Sequence, residues 1–377
     1  MKQALLQHAA PGILGIEPYT PGMPIEELQR RLGVKSAIKL ASNENPLGMS
    51  PRVKAALADA LTSQNLSLYP DGSGHRLKQK LAQMYGVAPE CITLGNGSND
   101  ILEFLARVYA GPGRAVMFSE YAFAVYPLAA QSQSAESVVV PARPADDAMP
   151  YGHDMAAFTR VLRERPDVAL VFVANPNNPT GTWLEPQAIE DFLRQVPEHV
   201  IVALDEAYFE YQDPALRPDT RRWLDRFPNL LVARTFSKVY GLAGLRVGYS
   251  FSHPNVADLL NRVRQPFNNN SLALLAAEVA LDDQGHVRTS VDLNTRERAR
   301  LTRELQTLGL RVLPSQANFV TVDFHRDAKP VHQGLLERGV IVRPMGSYGM
   351  PTFLRVTVGT EAENDRFLAA LKEALAG

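Results

Sequence analysis

A lysine sits among small hydroxyls and glycines in Ala233-Arg-Thr-Phe-Ser-Lys-Val-Tyr-Gly-Leu-Ala-Gly-Leu-Arg246, with an arginine eight residues after it. Once deprotonated, such an ε-amino group attacks a carbonyl carbon. A carboxylate, Asp205, ends the apolar run Val200-Ile-Val-Ala-Leu-Asp-Glu-Ala-Tyr208, and a phenol, Tyr208, follows three residues on. The run Val171-Phe-Val-Ala-Asn-Pro-Asn-Asn-Pro-Thr-Gly181 opens into two prolines, a glycine and three amides, the last of them Asn178. Gly95-Asn-Gly-Ser98 leads into an apolar helical pattern over 100–109, so Gly97, Ser98 and Asn99 can turn backbone N–H groups toward an anion at a helix N-terminus. Ser237 adds a hydroxyl and Arg246 a fork of donors. Each piece alone has an ordinary use as a cap, a solvated charge or a string of turns. Together they supply an acid, a phenol, an amine nucleophile and phosphate donors, the set that a pyridoxal 5'-phosphate site requires.

These residues can meet only if strand ends are gathered along one edge. Seven short β-branched runs, at 91–94, 115–118, 137–140, 168–173, 200–204, 230–233 and 246–249, are interspersed with helical patterns at 100–109, 155–163, 186–196 and 256–263. Continuous apolar strands separated by helices predict an α/β fold with a mostly parallel seven-stranded sheet sandwiched by helices. Ligands of such sheets lie beyond the carboxyl ends of the strands. After Pro266 the rhythm changes to a helix at 292–308, strands at 318–324 and 353–358, and a closing helix at 362–375, which predicts a smaller α+β unit. Pro11, Pro18, Pro21, Pro24 and Pro46 interrupt the start of the chain. The expected division is an N-terminal arm with part of the small domain at 1–47, a large cofactor-binding domain at 48–265 and a small C-terminal domain at 266–377.

Composition excludes several other classes. A chain of 377 residues, 45% hydrophobic, is long enough for two domains or three. Lys and Arg total 39 against 40 Asp and Glu, so no global field favours nucleic acid or an anionic membrane. The single cysteine, Cys91, rules out an internal disulfide framework and fits a reducing compartment, with the cytoplasm as the expectation. Apolar runs stop far short of a membrane span, and Gln3, Gln7 and His8 interrupt the start before a signal peptide could form. The histidines show no metal-ligand spacing, so no metal is assigned. Gly95 and Gly97 lack the third glycine of a dinucleotide fingerprint, and Gly241, Gly244 and Gly248 form no Walker loop, which disfavours NAD and ATP.

With those segments in view, the sequence resembles the fold-type I pyridoxal-phosphate-dependent aminotransferases, and among them the histidinol-phosphate aminotransferase family. Further matches are Ser42-Asn-Glu-Asn-Pro-Leu-Gly48, Tyr69-Pro-Asp-Gly-Ser-Gly74, Gln265-Pro-Phe-Asn268, Gly339-Val-Ile-Val-Arg-Pro344 and Leu354-Arg-Val-Thr-Val-Gly359, and the resemblance covers nearly the whole chain. It implies that Lys238 carries the cofactor covalently and, once freed, moves a proton between the substrate Cα and the cofactor C4'. Asp205 is implied to keep the ring nitrogen protonated, Tyr208 and Asn178 to hydrogen-bond O3', and Tyr121 to stack on the ring. Gly97, Ser98, Asn99, Ser237 and Arg246 are implied to hold the phosphate, joined by Tyr69 reaching across to the neighbouring subunit of a homodimer with shared sites. On the substrate side it implies Arg355 at the acidic end, Arg343 at a phosphate-bearing tail, Tyr19 closing from the arm, and Asn45. One departure bears on Tyr121: Ser119-Glu-Tyr-Ala-Phe123 stands where the family has Pro-Thr-Tyr.

The activity so implied transfers nitrogen between L-histidinol phosphate and 2-oxoglutarate, giving imidazole acetol phosphate and L-glutamate, a step of histidine biosynthesis. An aromatic amino acid aminotransferase acting on phenylpyruvate or 4-hydroxyphenylpyruvate is the nearest alternative, and a phosphothreonine-type decarboxylase a more distant one. A DNA-binding regulator would need a helix-turn-helix unit, for which the segment before Asn43 leaves only a proline-rich arm. An inactive interaction protein would be expected to have lost Lys238, Asp205 or Arg246, and all three are present.

Overall fold

The computed structural model describes Leu6, residues 8–18 and residues 22–376. Among them the apolar runs become β1 (Ile38–Leu40), β2 (Ile92–Gly95), β3 (Ala115–Ser119), β4 (Ser137–Val140), β5 (Val168–Ala174), β6 (Ile201–Asp205), β7 (Leu230–Thr235), β8 (Gly248–Ser252), β9 (Arg311–Val312), β10 (Phe319–Asp323), β11 (Val340–Pro344) and β12 (Phe353–Thr357). Seven of these form one sheet in the order β2-β8-β7-β6-β5-β3-β4. The run from β7 to β4 is parallel throughout, whereas β8 lies antiparallel to both β2 and β7, so β2 points the same way as β7. All seven runs read from the sequence are strands of this sheet. The reason is burial on both faces: every residue of β2, β3, β6, β7 and β8 is buried, and apolar side chains fill most of these positions.

The consequence for function is geometric. The carboxyl ends of β2, β5, β6 and β7 lie along one edge, and each runs directly into one of the polar segments above.

A second sheet has the order β1-β11-β12-β10-β9, with β1 parallel to β11 and the other pairs antiparallel. The N-terminal segment is thus woven into this sheet through Ile38↔Val340 and Leu40↔Val342. Its prolines bound a helix instead of preventing one: Pro24 is the N-cap of Ile25–Leu32, and Gly33 closes that helix at φ 68°. The helix Ser271–Asp282 packs on Pro51–Ser63 and His75–Tyr85, beside the first sheet. The next helix, Gln284–Thr307, starts earlier than the apolar pattern suggested, because Asp283 caps it with an acceptor for the His286 N–H. It buries Leu301 and Leu305 with Phe367 and Leu371 of Glu361–Ala376 against the second sheet.

Helix starts differ in a way that matters for the site. Ser50, Asp154 and Asn270 each accept a first-turn N–H from their own helices. The helix Ser98–Tyr109 begins at Gly97, φ 82°, with no side-chain cap among the described residues. Its leading N–H groups are left for another acceptor.

Candidate active site

A cleft opens at the carboxyl edge of the first sheet, where the second sheet and the segment after β1 face it. Its lining includes Ser98, Asn99, Asn178, Asp205, Tyr208, Ser237, Lys238, Arg246, Arg343 and Arg355, so most of the residues picked from the sequence converge.

Lys238 follows β7 in a tight loop whose turn is closed by the Gly241 N–H donating to the Lys238 carbonyl. Gly241 has φ 69°, and a Cβ there would meet the Gly48 carbonyl oxygen at 2.2 Å, so the close approach requires glycine. The Lys238 ammonium donates to the Ser42 carbonyl at 3.2 Å. Burial, joined by the Arg355 and Arg246 charges, pulls its pKa down to about 8.

Asp205 ends β6. Its Oδ2 accepts from the Tyr126 hydroxyl at 3.0 Å and its Oδ1 from the Ala207 N–H at 3.2 Å. Burial pushes the carboxyl up to about 6, opposed by those two hydrogen bonds and by the Lys238 charge. Tyr208, also buried, accepts from Asn43 Nδ2 at 2.8 Å, and burial raises its phenol to about 12.

The amides after β5 divide their work. Asn175 Oδ1 accepts the Leu184 N–H, and Asn177 Nδ2 donates to the Tyr121 carbonyl and to Thr180, so both are spent on loop shape. Asn178 lines the cleft and accepts from the Arg355 guanidinium. Arg355 also donates to the Ala41 carbonyl at 3.1 Å and lies over the Phe319 ring. It pairs in register with Arg343 of β11, which puts two arginines side by side on the cleft's second wall.

At the other end, the uncapped helix start meets Arg246. A Cβ on Gly97 would lie 2.4 Å from the Arg246 Nη2, and one on Gly248 would lie 2.4 Å from the Ser98 nitrogen. Arg246 also donates to the Ser237 hydroxyl at 3.3 Å. A guanidinium, two small hydroxyls and free helical N–H groups in contact form a cradle for a dianionic ester.

Tyr121, Asn45 and Tyr69 do not line this cleft. The Tyr121 carbonyl is held by Asn177 and its ring meets Tyr151 edge-on at 5.3 Å. Phe123, two residues on, lines it instead. Asn45 donates to the Val239 carbonyl and the Ser290 hydroxyl and faces a separate cavity, whereas Asn43 of the same motif lines the cleft. Tyr69 is 81% exposed, stacked on Phe267, away from this chain's own cleft. Tyr19 lies outside the described residues. Besides Phe123 and Asn43, the sequence reading missed Tyr126 and the cleft-lining Tyr348. Tyr126 sits in the apolar helix Val125–Ser132, where a lone aromatic reads as core.

The family model for aminotransferase class I and II matches residues 35–371. The chain belongs to this family. A Pseudomonas aeruginosa protein named histidinol-phosphate aminotransferase 2 is 54% identical over 98% of each chain. One from Nitrosococcus oceani, named histidinol-phosphate aminotransferase 1, is 51% identical over 98% of this chain and 97% of its own. A solved histidinol-phosphate aminotransferase from Sinorhizobium meliloti, in complex with pyridoxal 5'-phosphate, superposes with a TM-score of 0.88 at 30% identity, covering 98% of both chains. The fold is accordingly that of the fold-type I aminotransferases.

Proposed function

We propose that the chain is a pyridoxal 5'-phosphate-dependent aminotransferase that exchanges nitrogen between L-histidinol phosphate and 2-oxoglutarate in histidine biosynthesis. The observation that carries the reading is one cleft holding a lysine of lowered basicity, a buried carboxylate and an uncapped helix start beside Arg246. The donor set fits the cofactor: amine for its aldehyde, acid for its ring nitrogen, and cradle for its phosphate.

When bound, the cofactor supplies the electron sink that lets a substrate Cα–H bond break. Asp205 would hold the proton on the ring nitrogen, and Tyr126 keeps that carboxylate oriented. Tyr208 and Asn178 would hold the cofactor O3', and Phe123, which lines the cleft where Tyr121 does not, would serve as the ring's platform. Gly97, Ser98, Asn99, Ser237 and Arg246 would fix the phosphate. Lys238, with a pKa of about 8, has a neutral fraction near physiological pH and can carry a proton to and from the substrate Cα. Arg343 and Arg355 would receive the substrate's anionic ends, a dianion gaining more from the pair than a carboxylate does.

Tyr69, exposed beside Phe267, Leu66 and Leu68, suits a homodimer in which it reaches the neighbour's phosphate cradle. The domain division at residues 47 and 265 and a cytoplasmic location belong to the same proposal. Among the described residues no helix is long and apolar enough to cross a membrane.

Phe123, Tyr208 and Tyr348 give the cleft aromatic walls that also accept a phenyl ring, which sustains the aromatic aminotransferase as a second reading. Borohydride reduction of the cofactor-loaded protein followed by peptide mass mapping should label Lys238, and kcat/KM should favour histidinol phosphate over phenylalanine. Label elsewhere overturns the cofactor reading, and a preference for phenylalanine overturns the substrate.

A further inference from the structure

Three consecutive residues, Ala41, Ser42 and Asn43, each hold one group of the cleft: Ala41 O accepts from Arg355, Ser42 O from Lys238, and Asn43 Nδ2 donates to Tyr208. We infer that Asn43 is a positioning residue that fixes the direction of the Tyr208 proton, turning it into the cleft, and that it links this proton to the strand carrying Arg355.

The argument is one of donors and acceptors. The Thr357 hydroxyl accepts the Asn43 backbone N–H at 2.9 Å and donates to Asn43 Oδ1 at 3.2 Å. Asn43 Oδ1 is therefore the acceptor end of the amide, and Nδ2 is the end facing Tyr208. Reversing the amide would leave the Thr357 proton without this acceptor. With one Tyr208 lone pair taken by Nδ2, its single O–H points away from Asn43. Tyr208 lines the cleft, so that is where a ligand oxygen finds the donor. The surroundings fix Asn43 in this orientation. It is 1% exposed, its carbonyl accepts from Asn318 Nδ2 at 2.9 Å, and it sits at φ 56°, a conformation that asparagine tolerates. Thr357 lies two residues beyond Arg355 on β12, so Asn43 ties the Tyr208 hydroxyl to the strand that carries Arg355.

This inference rests on the proposed cofactor, whose O3' is the oxygen that Tyr208 would serve. Asn43→Asp keeps the shape but offers Tyr208 only acceptors, which draws its proton out of the cleft. Titrating the cofactor-free protein with pyridoxal 5'-phosphate, and following the visible absorbance of the loaded protein against pH, reads the result. Asn43→Asp is expected to weaken binding about tenfold and raise the absorbance midpoint by about one pH unit, because the ionised oxygen loses its donor. Both shifts should collapse in a Tyr208→Phe background. Asn43→Gly, which accepts the same φ and adds no charge, should move the midpoint the same way by less, and it carries the test if the Asp variant fails a thermal-melt check. An unshifted midpoint in Asn43→Asp or in Asn43→Gly, or a shift of equal size in Tyr208→Phe, overturns the inference. Failure of the wild type to develop any visible band is a different result and overturns the cofactor reading instead.

Discussion

Asp205 and Glu206 are neighbours, both buried, yet they belong to two different regions. Successive residues leaving a strand point to opposite sides, so Asp205 faces the cleft while Glu206 turns to the far face. There it meets Arg234 of β7, whose Nε donates to Glu206 Oε2 at 2.8 Å and whose guanidinium also bonds the Thr220 hydroxyl and lies 3.6 Å over the Phe209 ring. Glu210 joins this far-side cluster, its carboxyl pushed by burial up to about 7. A perturbed carboxyl therefore does not mark the active region by itself, since Asp205 and Glu210 are both raised. What separates them is the open cleft: Asp205 has room for a cationic ring beside it, whereas Glu210 and Arg234 are enclosed by protein.

The sharpest way to break this contrast is to remove one cation from each region. Lys238→Ala should cut turnover by at least about 10³-fold, since nucleophile and proton carrier go together. The cofactor-free variant should be no less stable than wild type at pH 7. The amine is depressed from 10.5 to about 8, so between those values the unfolded chain holds more protons and stability rises with pH; at pH 7 the fold still bears the cost of a buried charge. Arg234→Met should do the reverse, costing about 3–5 kcal/mol in denaturant unfolding because Glu206 is left buried without its partner. The Arg234→Met protein that does fold should bind the cofactor normally. Loss of binding at unchanged stability would merge the two regions.

Glu210→Gln refines the far-side half. Its carboxyl sits near 7 against an ordinary value of 4.5, so between those values the folded state keeps a proton that the unfolded chain has shed. Stability therefore falls as pH rises from 4.5 to 7, and the cost is fully present above 7. Urea unfolding at pH 8 should find Glu210→Gln more stable than wild type by on the order of 2 kcal/mol, with the difference gone near pH 4.5.

How much was legible follows the same division by range of interaction. The seven strands of the first sheet, and Lys238, Asp205, Tyr208, Asn178 and Arg246 at their ends, are local signals: an apolar run followed at once by a polar segment. β1 is three residues long and exists only because β11, some 300 residues later, pairs with it, a partner that no local pattern names. Asn43 and Asn45 look alike within one motif. Only distant partners, Thr357 and Tyr208 for one and Ser290 for the other, decide which faces the cleft. That Phe123 and not Tyr121 lines the cleft has a comparable cause, since the turn after β3 is set by Asn177 reaching across from the loop beyond β5.

Tyr126 gives the smallest effect and tests the cleft-side half of the contrast most closely. Its ring is fixed by packing, stacked on Phe172 at 4.6 Å and edge-on to Phe123 at 5.9 Å, so Tyr126→Phe removes one oxygen and leaves the packing in place. Asp205 then keeps the Ala207 N–H but loses a hydrogen bond that favours its charged form, and its pKa climbs further above about 6. At pH 8 the carboxylate is still ionised, so cofactor affinity should barely change and unfolding should lose about 1 kcal/mol. At pH 6 a larger share of Asp205 is protonated and cannot hold a cationic ring nitrogen, so affinity should fall by several-fold, with the acid limb of binding displaced upward by up to about one unit. An equal loss at pH 6 and pH 8 would mean that Tyr126 acts through packing, and that the raised carboxyl of Asp205 is no more functional than that of Glu210.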